Sequence, residues 1–334
     1  MAVLSDNGFP TLVNILKRTD PAGKILALAE MLDQELDFYE DIPWVEGNLP
    51  TGHLLAQRSA LPSASALWRG YNEGASVLKS DNATFTEVCG MMEGRTLIDE
   101  RLAALNGNSM EFRNSEARAV AETFAQEMAR AIFYESVVAN PKKIHGLTAR
   151  YPATSGYTAS NYVIKLGTTT TTNPLDCHSV WLITWEPGRI YGIYPKGSSA
   201  GLRREDKGLV TITDAKGKRF DAWEEKFAQE AGLAVEDYRY AVRMQWDMGD
   251  TQGVPDAGKT FYLGLDRMLN TIKRVTGNAR FYMDRTSLGK LTSQLANNAQ
   301  SSLEWANVNG TPIPKYRGIP IRVTDALVAE AAIS

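Results

Sequence analysis

Residues 253–260 read Gly-Val-Pro-Asp-Ala-Gly-Lys-Thr, the full G-x-x-x-x-G-K-[ST] pattern of a phosphate-binding loop. In such a loop backbone N–H groups wrap the phosphates, the lysine neutralises the terminal ones, and the hydroxyl reaches a magnesium ion. Downstream, Phe281-Tyr282-Met283-Asp284 imitates the strand end that would hold the metal. Three features oppose this chemistry. Asp247 to Gln252 puts a polar, Gly-containing loop where a buried strand should lead into the nest. Asp256 places a carboxylate inside the loop, where it repels a phosphate. A phosphate-loop sheet is built mainly after its loop, yet only residues 261–334 follow. The pattern is read as a chance match, with Lys259 a solvated residue of a loop or helix entry. Asp284 is expected to end a strand or cap the helix that begins near Thr286. A P-loop nucleotide hydrolase built on Gly253–Thr260 stays as the alternative.

The other reactive side chains form no comparable constellation. Lys196 to Arg204 is a basic, Gly-rich loop, but no helix start follows it to hold an anion, so a surface or subunit-contact loop is expected. Cys89 and Cys177 lack ligand spacing and read as two buried or half-buried thiols. His53, His145 and His178 stand in no Ser-His-Asp order, and G-x-S-x-G is absent. Asp41, Glu46, Asp99 and Glu100 fall in turns or on helix faces. No catalytic residue, cofactor or metal site is expected, and the chain is not read as an enzyme. The 36 basic and 39 acidic residues give a net charge of -3, which argues against sequence-driven DNA binding. The N-terminus lacks the apolar core of a signal peptide, and no stretch approaches the ~20 apolar residues of a membrane span. Synthesis in the cytosol and no membrane partner are expected.

The elements point to assembly. Thr11 to Asp37 has a helical pattern broken at Asp20-Pro21. From about Val45 to Gly90 the chain is rich in Gly, Ser, Asn and Thr and reads as a long hairpin, its runs Thr51–Leu61 and Ala66–Asn72. A ribbon so poor in large apolar side chains cannot bury itself and needs another chain to lie on. Glu93 to Leu105 reads as a short helix stopped by Asn106-Gly107-Asn108. Met110 to Val138 is the strongest helix, with Ala117, Ala121, Phe124, Met128 and Ile132 on one stripe. At ~1.5 Å per residue it is on the order of 40 Å long, suited to a structural spine. Thr168 to Thr172 reads as a surface loop. Strands are expected at Val180–Trp185 and Ile190–Tyr194 around a Glu186–Arg189 turn, then at Tyr238–Trp246, Arg280–Met283 and Ile313–Val323. Helices are expected at Thr260–Val275 and Thr286–Asn297. The class is α+β.

Several stretches then resemble the major capsid proteins of tailed bacteriophages, specifically short-tailed phages of the epsilon-fifteen and Bordetella type. They are Asp41-Ile42-Pro43-Trp44-Val45-Glu46-Gly47-Asn48-Leu49-Pro50-Thr51-Gly52-His53, Leu105-Asn106-Gly107-Asn108, Pro195 to Leu202, Phe281-Tyr282-Met283-Asp284-Arg285-Thr286 and Tyr316-Arg317-Gly318-Ile319-Pro320-Ile321-Arg322. They run in order over nearly the whole chain, and the first and last are the most specific.

The resemblance implies the Hong Kong 97-type capsid fold. Its parts would be an N-terminal arm (1–43), an extended hairpin (44–90), a peripheral domain with the spine helix (91–142), an axial domain with part of the peripheral one (143–312), and a terminal strand returning to the periphery (313–334). It implies an icosahedral shell of hexamers and pentamers around double-stranded DNA contacted non-specifically. A portal, scaffolding and cement proteins would be partners, and assembly would take place in the bacterial cytoplasm. Trp44, Arg58, Trp68 and Lys79 are the expected inter-subunit contacts, with core packing an equal reading for the two tryptophans. Lys79 is the hairpin's only lysine. No asparagine partner for a cross-link can be assigned to it, so a non-covalent shell is expected. Capsid-like helices beginning near Thr11 leave no room for a cleaved leader, so an intact chain is expected. The same fold used as a cellular nanocompartment is a further reading.

Overall fold

The computed structural model describes residues 37–62, 67–104, 109–166, 177–213, 216–247, 260–296, 303–308 and 311–333. The Thr11–Asp37 helices up to residue 36, the Asn106–Asn108 stop, the Thr168–Thr172 loop and residues 253–259 of the phosphate-loop pattern lie outside them. The strands are β1 (Trp44–Glu46), β2 (Gly52–Ala60), β3 (Asp81–Val88), β4 (Gly90–Asp99), β5 (Val163–Leu166), β6 (Cys177–Thr184), β7 (Ile190–Tyr194), β8 (Arg203–Thr213), β9 (Arg219–Val235), β10 (Ala241–Asp247), β11 (Ala279–Met283), β12 (Leu303–Val308), β13 (Thr311–Tyr316) and β14 (Ile319–Val323). The helices are α1 (Glu100–Ala103), α2 (Ser109–Tyr134), α3 (Leu147–Arg150), α4 (Thr260–Thr271) and α5 (Arg285–Ala296).

Three sheets form. The largest runs β12-β13-β14-β11-β6-β10-β5, a second runs β1-β7-β9-β4 with β8 also on β9, and β2-β3 is a separate ribbon. β6 is buried along its whole length because both faces of its sheet are covered. Trp181 and Ile183 point into a core with Phe38, Ile42, Met128, Ile132 and Phe133. Val180 and Leu182 point the other way, onto Phe261, Leu265 and Met268 of α4 and Leu291 of α5. Alternation along one strand therefore serves two cores.

The spine helix, β7, β11, α4 and α5 form at or near their expected positions. Asp284 follows β11 and accepts from the backbone N–H groups of Thr286 and Ser287, both at 3.2 Å, which caps α5. Neither cysteine is in a disulfide, and Cys177 is buried and Cys89 half-buried.

Several expectations give way to long-range pairing. Residues 90–99 are not helical. They form β4, paired with β9 from Gly90↔Ala231 to Asp99↔Ala222, and only Glu100–Ala103 coils, capped by Asp99. The return strand of the hairpin is Asp81–Val88, not Ala66–Asn72, because Thr84, Phe85, Thr86 and Val88 suit a pleated ribbon. β8 and the 17-residue β9 were unforeseen, since the Glu, Ala, Gln and Lys of 219–235 have helix-forming character. The Glu186–Arg189 turn does form, with Arg189 N–H donating to the Glu186 carbonyl at 3.0 Å, and it carries the chain from β6 in the largest sheet to β7 in the second.

Of the four acids read into turns or helix faces, Glu46 instead ends β1, while Asp41 closes the short 3-10 turn Asp37–Asp41. Its carboxylate is buried, accepts from Tyr282 Oη at 2.9 Å, and sits 3.4 Å from both Arg280 Nε and Arg322 Nε. At the other end, β14 pairs with β11, and the tail beyond it crosses back over the largest sheet. Glu330 there takes Arg243 Nη2 at 2.8 Å and Gln245 Nε2 at 3.1 Å, while Val328 meets the Tyr134 hydroxyl of α2.

Burial raises the Asp284 carboxyl, but hydrogen bonds from His178 and Ser287 outweigh it and hold the group below the usual carboxylate range. A folded pKa below the unfolded one adds stability that is complete above about pH 4 and is lost as pH falls through the folded value. Asp284→Asn is therefore expected to be less stable than wild type at pH 7. The gap in urea midpoint should narrow when both are measured at pH 3; a constant gap would contradict the assignment.

Candidate assembly interface

The β2–β3 ribbon grows from a tightly fastened root. Gly52 lies so close to β3 that a Cβ there would meet the Glu87 carbonyl oxygen at 2.1 Å, so no other residue fits. The Asn48 side chain brackets the first strand, accepting from Leu54 N–H at 2.6 Å and donating to the Leu54 carbonyl at 2.8 Å. Leu55, the one large apolar side chain of β2 that is buried, enters a small cluster with Tyr191, Ile193 and Ala234. Gln57 Nε2 donates to the Glu236 carbonyl at 2.7 Å.

One buried ion pair ties the returning strand to the body. Glu87 receives Arg150 Nη1 and Nη2 at 2.7 Å each, a two-pronged contact, and Arg150 also donates to the carbonyls of His145 and Leu233. Sequence reasoning missed this pair, because nothing local links residues 63 positions apart.

Past this root the ribbon is open. Every residue from Ala56 to Leu61 is exposed, as is every described residue from Leu67 to Lys79. Trp68 is 90% exposed, Val77 is 98% exposed and Tyr71 is fully exposed, with Leu61 and Leu67 nearby in sequence also in solvent. Apolar exposure on this scale in one segment marks a contact surface.

The expected contact residues divide between the two regions. Arg58 projects from β2, and Trp68 and Lys79 from the exposed connection between β2 and β3, Lys79 lying 3.7 Å from Asp81. Trp44 sits at the root, half-buried against the first core. Its ring covers Gly192, where an added Cβ would come within 2.4 Å of it.

The basic loop binds its own chain. Gly197 N–H donates to Glu46 at 2.8 Å, Ser198 Oγ to Glu230 at 2.9 Å, and Arg204 Nε to Glu225 at 2.7 Å. Two of its cations, Arg203 and Arg204, are thus paired with carboxylates of β9. The Cys89 thiol is pushed up to about 12 by burial, with the Glu230 charge adding to it, so it is not a reactive thiolate. Among the described residues no His, Cys, Asp and Glu side chains gather in a group able to hold a metal, and no helix is long and apolar enough to cross a membrane. A polar cleft of about 270 Å³ is lined by Glu40, Asp41, Pro43, Asn278 and Arg280, of which Asp41 and Arg280 pair with each other.

A fold that exposes an aromatic ribbon while packing its polar groups internally is that of a subunit made for a shell. The sequence matches the family described as major capsid protein GP7 over residues 20–334, and the chain belongs to that family. No curated protein matches it. Among solved structures, that of bacteriophage epsilon15 aligns at a TM-score of 0.76 and 22% identity, covering 100% of this chain and 99% of that one. The likeness shows a phage-capsid fold of the Hong Kong 97 type. The capsid of a native GTA particle aligns at a TM-score of 0.47 and 10% identity, over 69% of this chain and 95% of that one. The SrpI encapsulin of Synechococcus elongatus PCC 7942 also aligns at 0.47, at 9% identity, over 70% of this chain and 95% of that one.

Glu87→Gln removes the charge but keeps the shape, leaving Arg150 short of its carboxylate. It should cost about 2 kcal/mol, the scale of a charged hydrogen bond, in urea unfolding. Amide exchange at Gly52–Leu55 should quicken at the same time. Unchanged exchange there would show that the ion pair does not hold the root.

Proposed function

We propose that this major capsid protein builds an icosahedral shell through ribbons and N-terminal arms that overlap neighbouring copies. The observation that carries the reading is the open ribbon, with Trp68, Tyr71 and Val77 in solvent on a firmly fastened root. Trp68 and Arg58 are placed to bury against a neighbour, and Lys79 to make a rim contact of small energy. Trp44 acts from the root by setting the ribbon's origin over Gly192. Hexamers and pentamers of the chain would enclose double-stranded DNA that touches the inner face without sequence preference, as the near-neutral charge favours. A portal, scaffolding and cement proteins would complete the particle, assembled in the bacterial cytoplasm. No residue is assigned a catalytic role. Asp284, the acid that a phosphate-loop reading would give to magnesium, is occupied by the α5 cap and His178. The shell is held without covalent cross-links, because Lys79 lies beside Asp81 of its own ribbon and no reactive partner is assigned to it.

Electron microscopy of the purified chain should reveal closed shells. Trp68→Ala should leave the subunit's unfolding midpoint unchanged and raise the concentration needed for assembly by at least about tenfold, since a central aromatic contact is worth 2 kcal/mol or more. Shells forming equally well without Trp68 would remove it from the contact. Boiling particles in detergent should release a single monomer band, and a ladder of covalent oligomers would refute the non-covalent shell.

A further inference from the structure

We infer that the outer edge of β8, from Leu209 to Thr213, pairs with the same edge of a second copy, antiparallel about a two-fold axis through Thr211. The inference rests on the assembly reading and names one contact within it. Among the described residues β8 pairs with β9 alone, so one side of its backbone is open.

The two halves of that edge differ. Every residue from Arg203 to Lys207 is charged, and the side chains are tied down within the chain: Arg203 to Glu230 at 3.4 Å, Arg204 to Glu225 at 2.7 Å, Asp206 to Arg113 at 2.6 Å, and Lys207 to Glu205. The register then shifts between Asp206 and Gly208, where Gly208 takes a φ of 78°. Charges and a bulge are the devices that stop an edge from accepting another strand. Beyond Gly208 both vanish. Leu209-Val210-Thr211-Ile212-Thr213 has no charge, proline or glycine, and its register to β9 runs unbroken from Leu209↔Trp223 to Thr213↔Arg219. Leu209 and Thr213 are exposed. A guarded half beside an unguarded half confines pairing to these five residues.

The occupant follows from self-complementarity. Antiparallel pairing about Thr211 sets Val210 opposite Ile212 twice on one face of the joined sheet. On the other face Leu209 meets Thr213 twice and Thr211 meets itself. Cross-strand pairs of β-branched residues are favourable, and like charges placed opposite are not. A segment that must face its own copy therefore has to be uncharged, as this one is. Such a contact is isologous and closes on itself. Its ladder is only about 17 Å long at ~3.4 Å per residue, so it is weak singly and gains effect by repetition.

The test uses the full chain. At such a dyad the two Cβ atoms of residue 211 are about 4.5–5.5 Å apart, close to disulfide reach, whereas residue 210 faces residue 212. Shells of Thr211→Cys, mildly oxidised and run without reductant, should yield dimers. Val210→Cys shells and wild type, which carries only Cys89 and Cys177, should not. Thr211→Lys, at an exposed position where the lysine faces Asp221 in place of the threonine hydroxyl that donates to it at 2.6 Å, should fold with an unfolding midpoint no lower than wild type yet need at least about tenfold more protein to assemble. Well-formed Thr211→Cys shells that stay monomeric on oxidation would overturn the inference, as would equal dimer formation by Val210→Cys. If wild type itself forms no shells, the assembly reading fails first and this contact falls with it.

Discussion

The structure depends on one strand being buried on both faces. β6 lies between β11 and β10, and its alternate side chains supply two separate cores. Residues on such a strand cannot be exchanged between faces, because a shift by one position would send Trp181 into the space of Val180 and reverse every neighbour. The register of the whole seven-stranded sheet follows from that constraint. So does the placement of the Asp41 node, since Trp185 just past β6 donates to the Tyr282 hydroxyl at 2.7 Å and that hydroxyl donates to Asp41. A polar relay inside an apolar core is tolerable because each member has a partner.

Rigidity in the body allows a ribbon that lacks its own core to keep a direction. The first core reaches α2 through Met128, Ile132 and Phe133, and reaches β7 and β9 through Ile190, Leu233 and Val235. β7 lies beside β1 and thus beneath Trp44, at the point where the ribbon begins. From there Leu55, Glu87 and Gln57 make the attachments, each on a different part of the body. A two-stranded ribbon is marginal in water by itself. Three attachments at its base set its aim, and among the described residues none covers it further out.

What could be read in the sequence was local. The period of Ala117, Met128 and Ile132 marks α2, and Asp284 before Arg285-Thr286-Ser287 marks the start of α5, because helix periodicity and capping act within a few residues. The chain could not announce β4 and β9 in this way. Gly90–Asp99 becomes a strand because ten partners more than 100 residues away align beside it, overriding a weak local preference. The run Ala66–Asn72, exposed from Leu67 onward, reads like a strand because Leu67, Trp68 and Tyr71 are apolar or aromatic. These side chains are kept for the surface, and the return strand is built from smaller residues. Of the candidate interface, the ribbon's exposure was legible from its composition. Glu87 and Arg150 were not, since a buried ion pair leaves no spacing signal.

The sheet that carries α2 solves a different problem. β9 holds Glu224 and Glu225 side by side in buried positions, and adjacent carboxylates in a dry site would repel one another. Strand alternation sends them to opposite faces. Glu225 lies beneath α2, held by Arg113 at 2.8 Å and Arg204 at 2.7 Å, with the Arg113 guanidinium also 4.6 Å from the Trp223 ring centre. Glu224 lies on the far face, held by Arg95 at 2.7 Å. Each contact joins β9 to a different element: α2, β8 or β4. Charge pairs of this kind add little net stability over apolar packing, but they tolerate few alternative arrangements, since a slipped register would leave a carboxylate buried without its arginine. The pairs therefore act chiefly on register. A subunit whose neighbours must meet its strands at set positions needs that register held more than it needs extra stability.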